Sequence, residues 1–212
     1  MQSLFGLPYY QTIIDKTKYD KESIVNTIVS NYEIDKNRNN WDSGARVPSN
    51  LHHSNNDYDN KKFNEVDYTE LIPLYNQKIQ EFLDSLNYKQ NIKYRFEVVN
   101  YTCMTDSSYM KEHAHICEFS AVHYLKFNPE VHSPTCYVNP ASYTDYIGSV
   151  LPKLSELLDP TDINNTWVCK YVDVPVEEDS FVIMPGILSH LVPPSKKVGD
   201  LRMTIVINIY FD

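Results

Sequence analysis

Near Tyr94 the hydrophobic period of this chain changes, and few architectures accommodate the change. Before it, apolar residues recur at helical spacing: Ile24, Val25, Ile28, Val29 and Tyr32 follow Asp20, a residue type suited to an N-cap. A second stripe, Ile72, Tyr75, Ile79, Phe82, Leu83 and Leu86, predicts a helix from about Thr69 to Leu86. Pro73 falls in its first turn, where a missing N–H costs nothing. From Tyr94 onward the chain reads as short strands between turn residues: Tyr94–Thr102, Phe119–Phe127, Thr135–Val138, Trp167–Val174, Phe181–Met184 and Met203–Phe211. One helix, Tyr146 to Leu158, interrupts them. Helices first and many strands after predict an α+β fold in which N-terminal helices pack on a sandwich or barrel. The expectation is one domain over residues 1–212, helical to about 93 and β from about 94. The polar stretch Asn37–Asn60 reads as a surface loop, and the His52-His53 doublet within it as solvated.

Size and charge narrow the function. A chain of 212 residues can bury a core without disulfide staples. No run approaches the roughly 20 apolar residues of a membrane span, and Met1–Tyr10 lacks the pattern of a secretory leader. A net charge of −9 with both signs interspersed argues against general nucleic-acid binding, which needs a cationic face. Cys103, Cys117, Cys136 and Cys169 form no C-x-x-C pair, so they read as reduced thiols of a cytoplasmic protein.

Three features carry chemistry. In His113-Ala114-His115, an extended backbone points residues i and i+2 to one side, so both imidazoles can converge on a metal ion; two unrelated surface histidines are the plainer reading. His190 follows the apolar run Phe181–Gly186 and can close such a site from a distance, or be a buried core histidine. Along the last strand, Arg202, Thr204, Val206, Asn208 and Tyr210 share one face, while Met203, Ile205, Ile207, Ile209 and Phe211 form a wholly apolar one. Arg202 beside Thr204 is either ordinary surface or a pair built to grip a carboxylate.

The order H-x-H, an apolar strand with Tyr124-Leu125, then His190-Leu-Val-Pro-Pro, then Arg202-Met-Thr204 resembles the iron(II)- and 2-oxoglutarate-dependent oxygenase superfamily. It looks closest to an uncharacterised phage and bacterial branch, over about residues 95–212 and weakly at Leu4-Phe5-Gly6-Leu7-Pro8. The resemblance implies a double-stranded β-helix (cupin-type jelly roll) with Fe(II) and 2-oxoglutarate as cofactors, and ascorbate as reductant in vitro. It implies metal ligands at His113 and His190, with His115 standing where the superfamily has a carboxylate. It further implies that Arg202, Thr204 and Tyr124 hold the cosubstrate's far carboxylate. The metal shell is then three histidines, or two with a carboxylate such as Glu118. The expected activity is hydroxylation of a protein side chain, such as proline, or of a small molecule, in the cytoplasm (a host's, if the chain is phage-encoded). Two other classes fit the residues: a three-histidine cupin dioxygenase without 2-oxoglutarate, and a non-catalytic β-barrel of phage assembly.

Overall fold

A computed structural model describes residues 2–4, 6–38, 51–54, 62–86, 92–141, 152–159 and 162–212. Eleven strands are described: β1 Gln2–Leu4, β2 Leu7–Ile13, β3 His52–His53, β4 Tyr94–Met104, β5 Met110–His113, β6 Phe119–Lys126, β7 Cys136–Val138, β8 Tyr171–Asp173, β9 Ser180–Pro185, β10 His190–Val192 and β11 Arg202–Phe211. They form two antiparallel sheets, a larger one in the order β1-β2-β9-β6-β11-β4-β3 and a smaller one in the order β5-β10-β7-β8. The described α-helices are α1 Lys21–Ile34, α2 Leu71–Asp84 and a short α3 Pro152–Leu157.

The large sheet has two buried faces. On one, Ile205, Ile207 and Ile209 of β11 join Ala121 and Leu125 of β6 and Phe181 and Ile183 of β9, and α1 and α2 cover them with Ile24, Ile28, Tyr75, Ile79 and Phe82. On the other, Val122, Tyr124, Val182 and Met184 pack against Tyr137 and Val172 of the small sheet. The alternation of β6 and β9 therefore builds two cores at once.

Local chemistry explains the element ends. The Asp20 carboxylate accepts from the Ser23 N–H and caps α1. In α2 the inward stripe is Leu71, Tyr75, Ile79, Phe82 and Leu83. Ile72, expected on that stripe, is exposed, standing about 100° round the helix from the fully buried Leu71. Asp179 takes a left-handed backbone (φ 63°) at the turn into β9. Its side chain is clamped there by Lys21 Nζ (2.7 Å) and the Tyr19 hydroxyl (2.7 Å).

Several expectations need correcting. The N-terminal part is not only helical: β1 and β2 extend the large sheet beyond β9. His52 and His53 are not solvated. They pair with Cys103 and Thr102 on the edge of the same sheet and are buried. In place of the Trp167–Val174 strand, a 3₁₀ turn over Ile163–Val168 precedes the short β8. The expected helix from Tyr146 appears as α3; residues 146–151, like 39–50 and 55–60 of the expected loop, lie outside the described residues.

Candidate metal centre

Two of the short strands, β5 and β10, escape a reading of the sequence as strands, and their pairing brings His113 and His190 together. β5 and β10 run antiparallel with His113 directly opposite His190. Beyond β5 the chain crosses to the large sheet, and the His115 N–H donates to the Gly186 carbonyl (2.7 Å) in the turn before β10. Gly186 is needed there, since a Cβ would run into the Cys117 carbonyl of the facing crossover. The ring centroids lie 4.2 Å apart for His113 and His190, 5.2 Å for His115 and His190, and 5.4 Å for His113 and His115. One nitrogen from each falls within 4.8 Å of the others.

Each ring is oriented by a hydrogen bond at Nδ1. His113 Nδ1 lies 2.9 Å from the Lys111 carbonyl and His190 Nδ1 2.9 Å from the Leu188 carbonyl. His115 Nδ1 lies 3.1 Å from the Asn208 carboxamide oxygen. A carbonyl only accepts, so the proton of His113 and of His190 sits on Nδ1 and Nε2 keeps its lone pair. Burial, reinforced by the neighbouring His113, holds the pKa of His190 well below the ordinary histidine value; burial lowers that of His115 too, against its bond to Asn208. Both effects favour the neutral imidazole that a metal requires.

The three rings open on a cavity of about 210 Å³ that reaches between the sheets to Arg202 and Thr204. Arg202 is 2% exposed. Its polar neighbours are poor ones: Met104 sulfur at 3.6 Å from Nη1 and the Thr135 hydroxyl at 3.4 Å from Nη2, while Nε has none. The Tyr124 and Phe127 rings lie 5.3 and 5.9 Å from the guanidinium carbon. Burial pulls its pKa down, yet a guanidinium stays charged. Thr204 is braced by the Thr102 hydroxyl at 2.7 Å.

Two residues of the sequence reading stand elsewhere. Tyr124 does not line the cavity: it is fully buried beside the Arg202 guanidinium, and its hydroxyl donates to Thr135 (2.8 Å), which does line it. Glu118 is exposed and accepts from the Phe211 N–H (3.1 Å), outside the histidine cluster. The sequence reading also missed His53 and the adjacent pair Val99 and Asn100, all of which line the cavity. Opposite Val206 and Ile207, β4 pairs through Asn100 and Val98, so Val99 is an extra residue. Such a bulge turns two consecutive side chains to one face, which strict alternation cannot foretell.

No protein-family model matches the sequence, and no curated protein matches it. Solved structures do match. A Pseudomonas putida prolyl-4-hydroxylase aligns over 96% of this chain and 93% of its own, with 9% identity and a TM-score of 0.54. A Trichoplax adhaerens prolyl hydroxylase, solved with a hypoxia inducible factor peptide fragment, aligns over 95% and 83%, with 10% identity and a TM-score of 0.55. This is the fold of the 2-oxoglutarate/iron(II) oxygenases. The non-heme alpha ketoglutarate dependent carbocyclase SnoK of nogalamycin biosynthesis shares it over 97% of this chain and 80% of that one, with 12% identity and a TM-score of 0.58. At these identities the likeness is one of fold, and the chemistry rests on the side chains present here.

Proposed function

We propose that this protein is a non-haem iron oxygenase that couples oxidative decarboxylation of 2-oxoglutarate to succinate with hydroxylation of a substrate. In this reading residues 1–212 form one domain and its two sheets are the halves of a double-stranded β-helix. The observation that carries the proposal is one cavity with two chemistries at its ends: three converging imidazoles, and a buried guanidinium with no carboxylate beside it among the described residues. A buried charge is tolerated when something of opposite sign completes it, and a dicarboxylate does so.

The donor set fits ferrous iron, since His113, His115 and His190 supply three neutral nitrogens from one side and leave other positions open. When bound, Fe(II) and 2-oxoglutarate supply the redox chemistry that activates oxygen. The chain supplies position. Arg202 anchors the far carboxylate through a charge-assisted pair, and Thr204, braced by Thr102, offers a further hydroxyl. Tyr124 acts through Thr135, which it hydrogen bonds. Val122, Val192 and Val206 give the cavity dry walls that strengthen these polar contacts. The substrate class we favour is an aliphatic side chain of a protein, such as proline, because two of the matching folds are prolyl hydroxylases. A three-histidine dioxygenase without 2-oxoglutarate would use the same ligands but leave Arg202 without a task.

The test is uncoupled turnover. Protein incubated in air with Fe(II), ascorbate and 2-oxoglutarate should release succinate above a metal-free control. Succinate at the control level, with iron demonstrably bound, would reject the 2-oxoglutarate reading.

A further inference from the structure

Two of the three histidines owe their orientation to main-chain carbonyls, which no substitution of a side chain removes. His115, at the position where the resemblance leads one to expect a carboxylate, instead relies on side chains, and these form a continuous chain to the surface. His115 Nδ1 lies 3.1 Å from Asn208 Oδ1, Asn208 Nδ2 donates to the Tyr210 hydroxyl oxygen (3.2 Å), and the Tyr210 O–H donates to Glu97 Oε1 (2.8 Å). Asn208 and Glu97 are direct cross-strand partners of β11 and β4, with Tyr210 two residues along on the same face. The Arg95 guanidinium lies over the Tyr210 ring at 4.2 Å.

We infer that Glu97, Tyr210 and Asn208 are positioning residues that select the tautomer of His115. The argument runs inward from the surface. An ionised carboxylate only accepts, so the single Tyr210 proton is committed to Glu97. The Tyr210 oxygen must then accept, so Asn208 turns its NH₂ toward it. That leaves Asn208 Oδ1, an acceptor, facing His115, whose Nδ1 must carry the proton. Nε2 is left bare, as in His113 and His190. A charge on the rim thereby gives the third histidine the protonation that carbonyls give the other two. The inference rests on the metal centre proposed above, but its primary readout needs no metal.

The chain can be reversed, and that makes it testable. In Glu97→Gln the new amide can donate to Tyr210, freeing the Tyr210 proton for Asn208 Oδ1 and turning the Asn208 NH₂ toward His115. Imidazole ¹⁵N spectra of the metal-free protein should show His115 as the Nδ1–H tautomer in wild type and as a mixture in Glu97→Gln. Co(II) titration by absorption should show several-fold weaker binding for Glu97→Gln and about 10–100-fold weaker binding for Asn208→Leu, the usual range for such supporting groups. The double variant Glu97→Gln/Asn208→Asp should regain the Nδ1–H tautomer and the Co(II) affinity, because a carboxylate at 208 again only accepts. Wild-type tautomer and affinity in Glu97→Gln, or a double variant no better than Glu97→Gln, would overturn the inference. Failure of the oxygenase reading looks different: tautomer and Co(II) affinity follow the chain as described while no succinate forms.

Discussion

The two faces of β11 make opposite use of one strand. Facing the helices, Met203, Ile205, Ile207 and Ile209 are fully buried among apolar side chains, and everything they touch stabilises the fold. Facing the cavity, Arg202 and Thr204 are buried almost as deeply, but the Arg202 charge has long contacts to Met104 and Thr135, the Tyr124 and Phe127 side chains beside it, and no carboxylate partner among the described residues. In the proposed reading, the comparison separates residues that serve packing from residues that serve a ligand. Burial alone does not distinguish them; the quality of the partners does.

Substitutions should divide along the same line. Ile205→Ala removes buried methyls between the sheet and the helices, and we expect about 2–5 kcal/mol of lost stability by denaturant unfolding. Arg202→Met should behave the other way. It removes a buried charge with no anionic partner among the described residues, so the metal-free fold should be as stable as wild type or more so. Its 2-oxoglutarate affinity, measured calorimetrically with Mn(II), should fall by about 2–5 kcal/mol while Mn(II) affinity holds. A destabilised Arg202→Met with unchanged 2-oxoglutarate affinity would erase the contrast between the faces.

What the sequence revealed follows from which rules are local. Period-two alternation marks β11, short strand-like runs between turn residues mark β6 and β9, and helical spacing marks α1 and α2, because each pattern is read within one element. The H-x-H spacing, the place of His190 after an apolar run and the family resemblance point to the histidines, whereas β5 and β10, the strands that join them, span only four and three residues, too short for any periodicity to show. The doublet His52-His53 looked solvated since a polar neighbourhood in sequence says nothing about an edge strand docking on β4. Asn100 escaped because a bulge breaks the alternation that would assign its face. That Thr135 lines the cavity while Tyr124, its hydrogen-bond partner, does not is a tertiary relation that no local pattern carries.

The smallest expected effect concerns acid. His123 is fully buried on the helix side of β6, with Nδ1 2.8 Å from the Tyr75 hydroxyl and Nε2 3.5 Å from Asp179. Burial depresses its pKa despite Asp179, so the folded protein keeps it neutral. The unfolded chain takes up that proton first, near pH 6.5. Its contribution is thus complete above that pH and declines below it, with a slope of up to about 1.4 kcal/mol per pH unit. His123→Asn should flatten the fall of stability between pH 7.5 and 5 relative to wild type. An unchanged slope would show that the buried ring does not titrate with unfolding.

The central claim is that one cavity holds a metal at its histidine end and a dicarboxylate at its arginine end. A thermal-shift measurement with Mn(II), 2-oxoglutarate, or both reads this directly. The account predicts stabilisation by Mn(II), a larger shift with both, and loss of the second increment in Arg202→Met. A 2-oxoglutarate shift of equal size with and without the metal, or one that survives Arg202→Met, would contradict it.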